Sequence, residues 1–196
     1  MKDKMLVLTI SILAFAMSSI AQVKGTFTDA RDGKVYKTVT IGTQTWMAEN
    51  LAYKTESGCW AYENNTANVQ KYGYLYHWDA AKKACLKGWH LPSKEEWQTL
   101  QNFLGGNSVA GQKMKYPYDW ELNFMGNNSS GLSCLPGGCR DANGTFMERF
   151  YSGYWWSSTE LGNGKAWCMT LSDESAYSYV LDKDKQYAFS VRLIKD

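Results

Sequence analysis

The chain has 196 residues, with 21 lysines and arginines against 19 aspartates and glutamates. That is enough for one domain with a sizeable core and cramped for two, and it lacks the charge excess of a nucleic-acid or membrane-surface binder. Nine tryptophans and thirteen tyrosines predict a core of large rings whose polar edges need hydrogen-bond partners, with rings left over for a surface.

Lys2 and Lys4, the apolar run from Met5 to Met17 and the small residues around Ser19-Ile20-Ala21 read as a secretory signal cleaved after Ala21, leaving 22–196 as a single exported domain. The run is shorter than the ~20 residues that a helix needs to cross ~30 Å of hydrocarbon, and no later segment qualifies, so no membrane span is expected. The expected location is the medium, the periplasm or the cell surface. Export favours disulfides, and five cysteines leave at least one thiol over. A local Cys134–Cys139 bridge is expected across the intervening Leu-Pro-Gly-Gly turn.

Residues 25–53 read as a β meander: Asp32-Gly33 is a turn dipeptide, Val35, Thr38 or Val39, and Ile41 are available to a core, and Gly42 separates this strand from Gln44 to Met47. Residues 54–71 are polar and turn-rich, a surface loop. Tyr72 to Gly106 carries the only long helical periodicity. A short helix is predicted from Leu75 to Ala84, with Trp78, Ala81 and Cys85 inward. A second starts at Ser93, whose hydroxyl and Glu96 form a capping box; Trp97, Leu100 and Leu104 make its apolar stripe, and Gly105 and Gly106 stop it. From Asn107 to Arg149 no period is visible, and short strands and turns packed through Tyr116, Tyr118, Trp120, Phe124 and Phe146 are expected. The last third is β: Tyr151 to Ser158, Lys165 to Leu171, Ala176 to Leu181 and Tyr187 to Ile194.

Catalytic patterns are absent. There is no nucleophile elbow, Walker loop, dinucleotide fingerprint or His-Glu-x-x-His, and Glu95-Glu96 are favourable charges at a helix N-terminus. His77 and His90 lack a metal-ligand spacing and are expected to bond turn carbonyls. Asp173, Glu174, Asp182 and Asp184 could offer oxygen ligands to Ca2+, although solvated turns are the simpler reading. Trp155-Trp156 is the binding candidate, because neighbours on a strand face opposite ways and one ring is left for solvent, a covering strand or a ligand. Ser157, Ser158 and Glu160 would supply its polar edges.

The segments DARDGKVYKTVTIGTQTWMAENLAY at 29–53, YGYLYHW at 72–78, GWHLPSKEEWQTL at 88–100, GYWWSSTE at 153–160 and FSVRLIKD at 189–196 resemble, in order, the Fibrobacter succinogenes major paralogous domain, a family of exported bacterial proteins of unestablished molecular function. HLPSKEEW and WWSST are more distantly similar to C-type-lectin-like and formylglycine-generating (sulfatase-modifying factor) folds. That resemblance implies an α+β domain with two helices packed on short twisted antiparallel strands, a long irregular loop region, and termini joined in one sheet. The resemblance to the Fibrobacter succinogenes family implies that partner cysteines are missing at Leu193 and near Gln70, leaving Cys59 and Cys85 to pair with each other or stay thiols. The expected function is a non-enzymatic binding or cell-envelope module, with an extracellular glycan as the preferred partner. The alternatives are a copper-dependent oxidoreductase of formylglycine-generating type, with the metal on Cys134 and Cys139, and a purely structural surface protein.

Overall fold

The computed structural model describes residues 22–121 and 126–196; the signal segment and Phe124 lie outside them. Along the described residues run β1 (Val23–Thr28), β2 (Val35–Ile41), β3 (Gln44–Met47), β4 (Cys59–Trp60), α1 (Val69–Tyr72), β5 (Leu75–His77), α2 (Trp78–Lys83), β6 (Trp89–His90), α3 (Lys94–Phe103), α4 (Asn107–Met114), β7 (Gly137–Arg140), β8 (Phe146–Arg149), β9 (Ser152–Gly162), β10 (Lys165–Ser172), β11 (Ser178–Asp184), β12 (Ala188–Ser190) and β13 (Ile194–Lys195). The class is α+β. One sheet has the order β1-β2-β3-β13-β6, so the first and last strands do share a sheet; the other has the order β11-β10-β9-β7-β12-β5-β4, with β8 beside β7.

Both sheets meet apolar layers on both faces. Tyr36 and Met47 join one core cluster, with Trp78, Trp156, Phe189 and Leu193. Their near neighbours Val39, Ile41 and Trp46 join another, with Trp97, Leu100, Met114 and Trp155. This explains a departure from the expected meander: Val35 is 56% exposed and Tyr36 is buried instead, where its hydroxyl accepts the Ala52 N–H at 3.0 Å. Along β2, Tyr36 thus serves one core and Val39 and Ile41 the other, while Val35 and Lys37 at its start stay exposed.

Several tryptophans bind the layers by their ring nitrogens as well as their area, whereas the buried ring nitrogens of Trp46 and Trp120 have no partner among the described residues. Trp156 Nε1 donates to the Tyr76 carbonyl at 2.7 Å, Trp78 Nε1 to the Ser157 carbonyl at 2.8 Å and Trp155 Nε1 to Asn50 Oδ1 at 2.8 Å. Trp46 and Trp97 rings meet at 4.6 Å between the first sheet and α3.

The capping box forms as the sequence requires: Ser93 Oγ accepts the Glu96 N–H at 3.1 Å, and Glu96 Oε2 accepts the Ser93 N–H at 2.7 Å. At the other end Gly106 N–H reaches the Gln101 carbonyl and Gly105 N–H the Asn102 carbonyl, the paired bonds of a Schellman stop with Gly105 at φ +101°. The earlier helix is shorter than expected. Leu75 to His77 extend as β5, paired to β12 on one side and β4 on the other, and helix begins only at Trp78, because two strands supply hydrogen bonds that outweigh helical periodicity. Trp78 and Ala81 are buried as predicted, and Cys85 is half-buried.

The region after Asn107 holds a helix, α4, where strands and turns were expected. Its pattern was hidden by Gly111, which sits where a Cβ would lie 2.2 Å from the Tyr177 carbonyl oxygen; the glycine is there for close packing, not to break the helix. Trp120 is buried, whereas Tyr116 and Tyr118 point outward, at 37% and 67% exposure, rather than packing inside. The expected last strand divides into β12 and β13, and between them the Val191 and Leu193 carbonyls accept the Leu51 and Met47 N–H groups.

His90, on β6, lies between two carboxylates, with Nδ1 2.7 Å from Asp196 Oδ1 and Nε2 2.9 Å from Glu96 Oε1. It is held by acids rather than by the turn carbonyls expected. Burial disfavours its charged form, but the hydrogen bonds and charges of Asp196 and Glu96 outweigh burial and raise its pKa above the ordinary value.

Two predictions follow from this packing. Gly111→Ala gains about 1 kcal/mol of helix propensity yet should lower stability by about 2 kcal/mol net through overpacking against the Tyr177 carbonyl; a urea midpoint at or above wild type would contradict the packing reading. For His90, a raised folded pKa gives stability that is fully present below the unfolded value of about 6.5 and is lost as pH climbs through the folded value. The stability gap between wild type and His90→Gln should thus be widest in acid and close with rising pH, and a gap constant from acid to base would refute the ion-pair assignment.

Candidate functional site

Trp155 and Trp156 do face opposite ways, but both are fully buried. Trp155 enters the cluster with Trp97 and Met114, and Trp156 enters the other, 4.4 Å from Phe189. Neither offers a platform to a ligand, because β9 lies inside its sheet with a layer on each side. The polar residues beside them are structural clasps. Ser157 is buried and its Oγ accepts the Thr159 N–H. Ser158 N–H donates to the Pro92 carbonyl at 2.8 Å, securing the approach to α3. Glu160 is exposed and pairs with Lys185.

All five cysteines are free thiols, which corrects the expected Cys134–Cys139 bridge and any Cys59–Cys85 bridge. Cys134 lies in the cluster with Trp155, and Cys139 in the one with Trp156, so the turn between them carries the chain from one core to the other. Cys59 and Cys85 each hydrogen-bond a carbonyl four residues back, at 3.7 and 3.6 Å. Copper does not fit Cys134 and Cys139: they are in separate clusters, and burial pushes both thiols up, Cys139 to about 12, opposite to the thiolate that a metal binds. The acidic turns are likewise separate. Asp173 is buried near the chain of Lys115, Asp182 pairs with Lys165 at 2.8 Å, and Asp184 Oδ1 accepts the Gln186 N–H. Among the described residues no three His, Cys, Asp or Glu side chains are grouped to hold a metal ion. His77 meets Trp60 at 4.5 Å with the rings tilted by 57°, and burial, then the charge of Arg140, hold its pKa below the ordinary value.

The surface that the sequence reading missed lies across β9, β10 and β11. Register places Tyr154, Thr170 and Tyr179 in one cross-strand row, with Ser152 opposite Ser172 in the next, so these side chains share a face. Tyr177 and Tyr179, two residues apart, stack in parallel with centroids at 5.7 Å and planes at 6°, and remain 42% and 46% exposed. Tyr154 anchors the row to the interior: its ring stacks on Phe189 at 4.9 Å and its hydroxyl donates to Glu148 Oε2 at 2.5 Å. Burial, then the Glu148 hydrogen bond, raise its pKa, so it stays a neutral donor. Flat rings flanked by Thr170, Ser152, Ser172 and the Glu148 carboxylate are what a ligand with an apolar face and a hydroxyl edge requires. The signal in the sequence was Tyr177-x-Tyr179 at strand period 2, overshadowed by the louder Trp-Trp pair.

No helix among the described residues is long and apolar enough to cross a membrane. No curated protein and no solved structure matches the chain. The Fibrobacter succinogenes major domain matches residues 39–195, a span that takes in β3 to β13 and the whole tyrosine face, and the chain belongs to that family.

Proposed function

We propose that the protein is an exported, non-enzymatic binding or cell-envelope module that holds carbohydrate on the face of Tyr154, Tyr177 and Tyr179. The observation that carries this reading is the exposed parallel pair Tyr177–Tyr179, in line with hydroxyl and carboxylate side chains on a rigid three-stranded platform. A pyranose has the matching chemistry: a C–H face for the rings and an equatorial ring of hydroxyls for Thr170 and the serines. Export is supported by the Lys2, Lys4 and Met5 to Ala21 sequence pattern. A fold of C-type-lectin-like or sulfatase-modifying type is supported by short helices laid on antiparallel strands, with the first and last strands in one sheet. The copper-oxidoreductase alternative loses its ligand pair, since Cys134 and Cys139 occupy different clusters.

The test is a glycan array and polysaccharide pull-down with wild type and the double variant Tyr177→Ala/Tyr179→Ala. At about 1 kcal/mol per ring, binding should weaken at least about tenfold while the fold holds, because both residues are on the surface. Trp155→Ala, by contrast, should cost about 3–5 kcal/mol of stability and act on folding rather than on recognition. Silence across polysaccharides, or binding indifferent to the tyrosines, would leave the structural surface protein as the better reading.

A further inference from the structure

A separate cleft of about 310 Å³ opens between the β1–β2 turn and β2 (Lys34, Lys37), the end of α1 (Lys71) and the loop bearing Asp119. Arg192 forms part of its lining although the residue is only 1% exposed. Its guanidinium is held by neutral oxygens: Nη1 donates to the Leu132 carbonyl, and Nη2 to Asn50 Oδ1 at 2.8 Å and the Ser133 carbonyl at 3.5 Å. Nε is buried without a partner. Among the described residues no carboxylate is within ion-pair distance of it. An arginine stays protonated in proteins, and buried charges are ordinarily paired, so this cation lacks the direct ion pair that usually accompanies one.

The walls supply only a partial counter-charge: the charge of Glu49 acts on Arg192, but among the described residues Glu49 makes no ion pair with it. Four cations, Lys34, Lys37, Lys71 and Arg192, line the cleft against two carboxylates, Glu49 and Asp119, an excess of two positive charges. Asp119 is committed to Lys71 at 2.5 Å, and Glu49 Oε2 accepts the Lys37 N–H at 2.8 Å. The ammonium groups of Lys34 and Lys37 face no carboxylate within ion-pair distance among the described residues. Lysines at the mouth would draw an anion in, raising its local concentration and its on-rate, and charge-assisted hydrogen bonds are the strong kind.

We infer that this cleft binds a small oxyanion, a carboxylate or phosphate group, between the Arg192 guanidinium and the Lys34 and Lys37 ammonium groups. The site is independent of the tyrosine face. It can be tested by isothermal titration calorimetry of the full chain with D-galacturonate, inorganic phosphate and, as the neutral counterpart of the first, D-galactose. Saturable binding of galacturonate alone assigns a carboxylate, of phosphate alone a phosphate, and of both an unselective oxyanion site. Each should weaken as salt is added and by about tenfold or more in Lys34→Glu/Lys37→Glu, whose melting should match wild type because neither side chain is in the core; Arg192→Lys, which keeps the charge and loses the fork, should weaken binding as well if its melt shows it folded. Tyr177→Ala/Tyr179→Ala should bind as wild type does, so failure of the glycan reading would leave this one standing. Measured in the Tyr177→Ala/Tyr179→Ala background, no binding of either anion, galactose binding as well as galacturonate, or affinity unchanged by adding Lys34→Glu/Lys37→Glu would overturn it.

Discussion

One buried side-chain amide holds together segments that are otherwise far apart in the chain. Asn50 has two N–H donors and two lone pairs, and all four are used inside the protein: Nδ2 donates to the Tyr72 carbonyl at 2.9 Å and to Ser190 Oγ at 3.2 Å, while Oδ1 accepts from Trp155 Nε1 and from Arg192 Nη2, each at 2.8 Å. It thereby joins the end of the first meander to α1, to the middle of β9 and to the last strands. A buried amide left half-satisfied costs about 1–3 kcal/mol per orphaned group, so these four bonds stand or fall together. The cleft depends on the same amide, because Asn50 fixes which way the Arg192 fork points.

Around that centre the sheets are interior layers, and this decides where a ligand can be met. A strand with water on one side displays every second residue; β9 displays neither tryptophan, because α3 covers one face and Phe189 lies against the other. Only beyond Tyr154, whose own ring is backed by Phe189, does the face open, at the exposed rings of Tyr177 and Tyr179. Recognition by rings is thus displaced from the most aromatic stretch of the sequence to its periphery.

That displacement explains what could and could not be read from residues alone. The start and stop of α3 were legible because Ser93, Glu96, Gly105 and Gly106 act within a single turn of their own positions. Leu75 to His77 read as helix because the competing bonds come from Ala188 to Ser190 and from Cys59 and Trp60, partners that no local pattern contains. Gly111 reads as a breaker until Tyr177 is placed against it. Cysteine number suggested bridges, yet a thiol also packs as a small apolar side chain, and Cys134, Cys139 and Cys168 are each at most 2% exposed. The tyrosine row was invisible for the reason that register is: it aligns three strands, and only one of its rings neighbours another at period 2 in the chain.

The final strands show why folding and binding are hard to separate here. From Phe189 onward, Phe189, Val191 and Leu193 enter one core, while Ser190 and Arg192 turn to Asn50 and Ile194 enters the second core. Six consecutive residues thus serve two cores, the amide and the floor of the basic cleft. Chain period 2 permits this only while the register of β12 and β13 is fixed, since a slip of one residue would exchange an arginine for a leucine in the core. The register is pinned by the Leu51 and Met47 N–H groups on the Val191 and Leu193 carbonyls, so the placement of the Arg192 charge beneath the cleft is a consequence of how β3 and the loop after it are joined to the last strands.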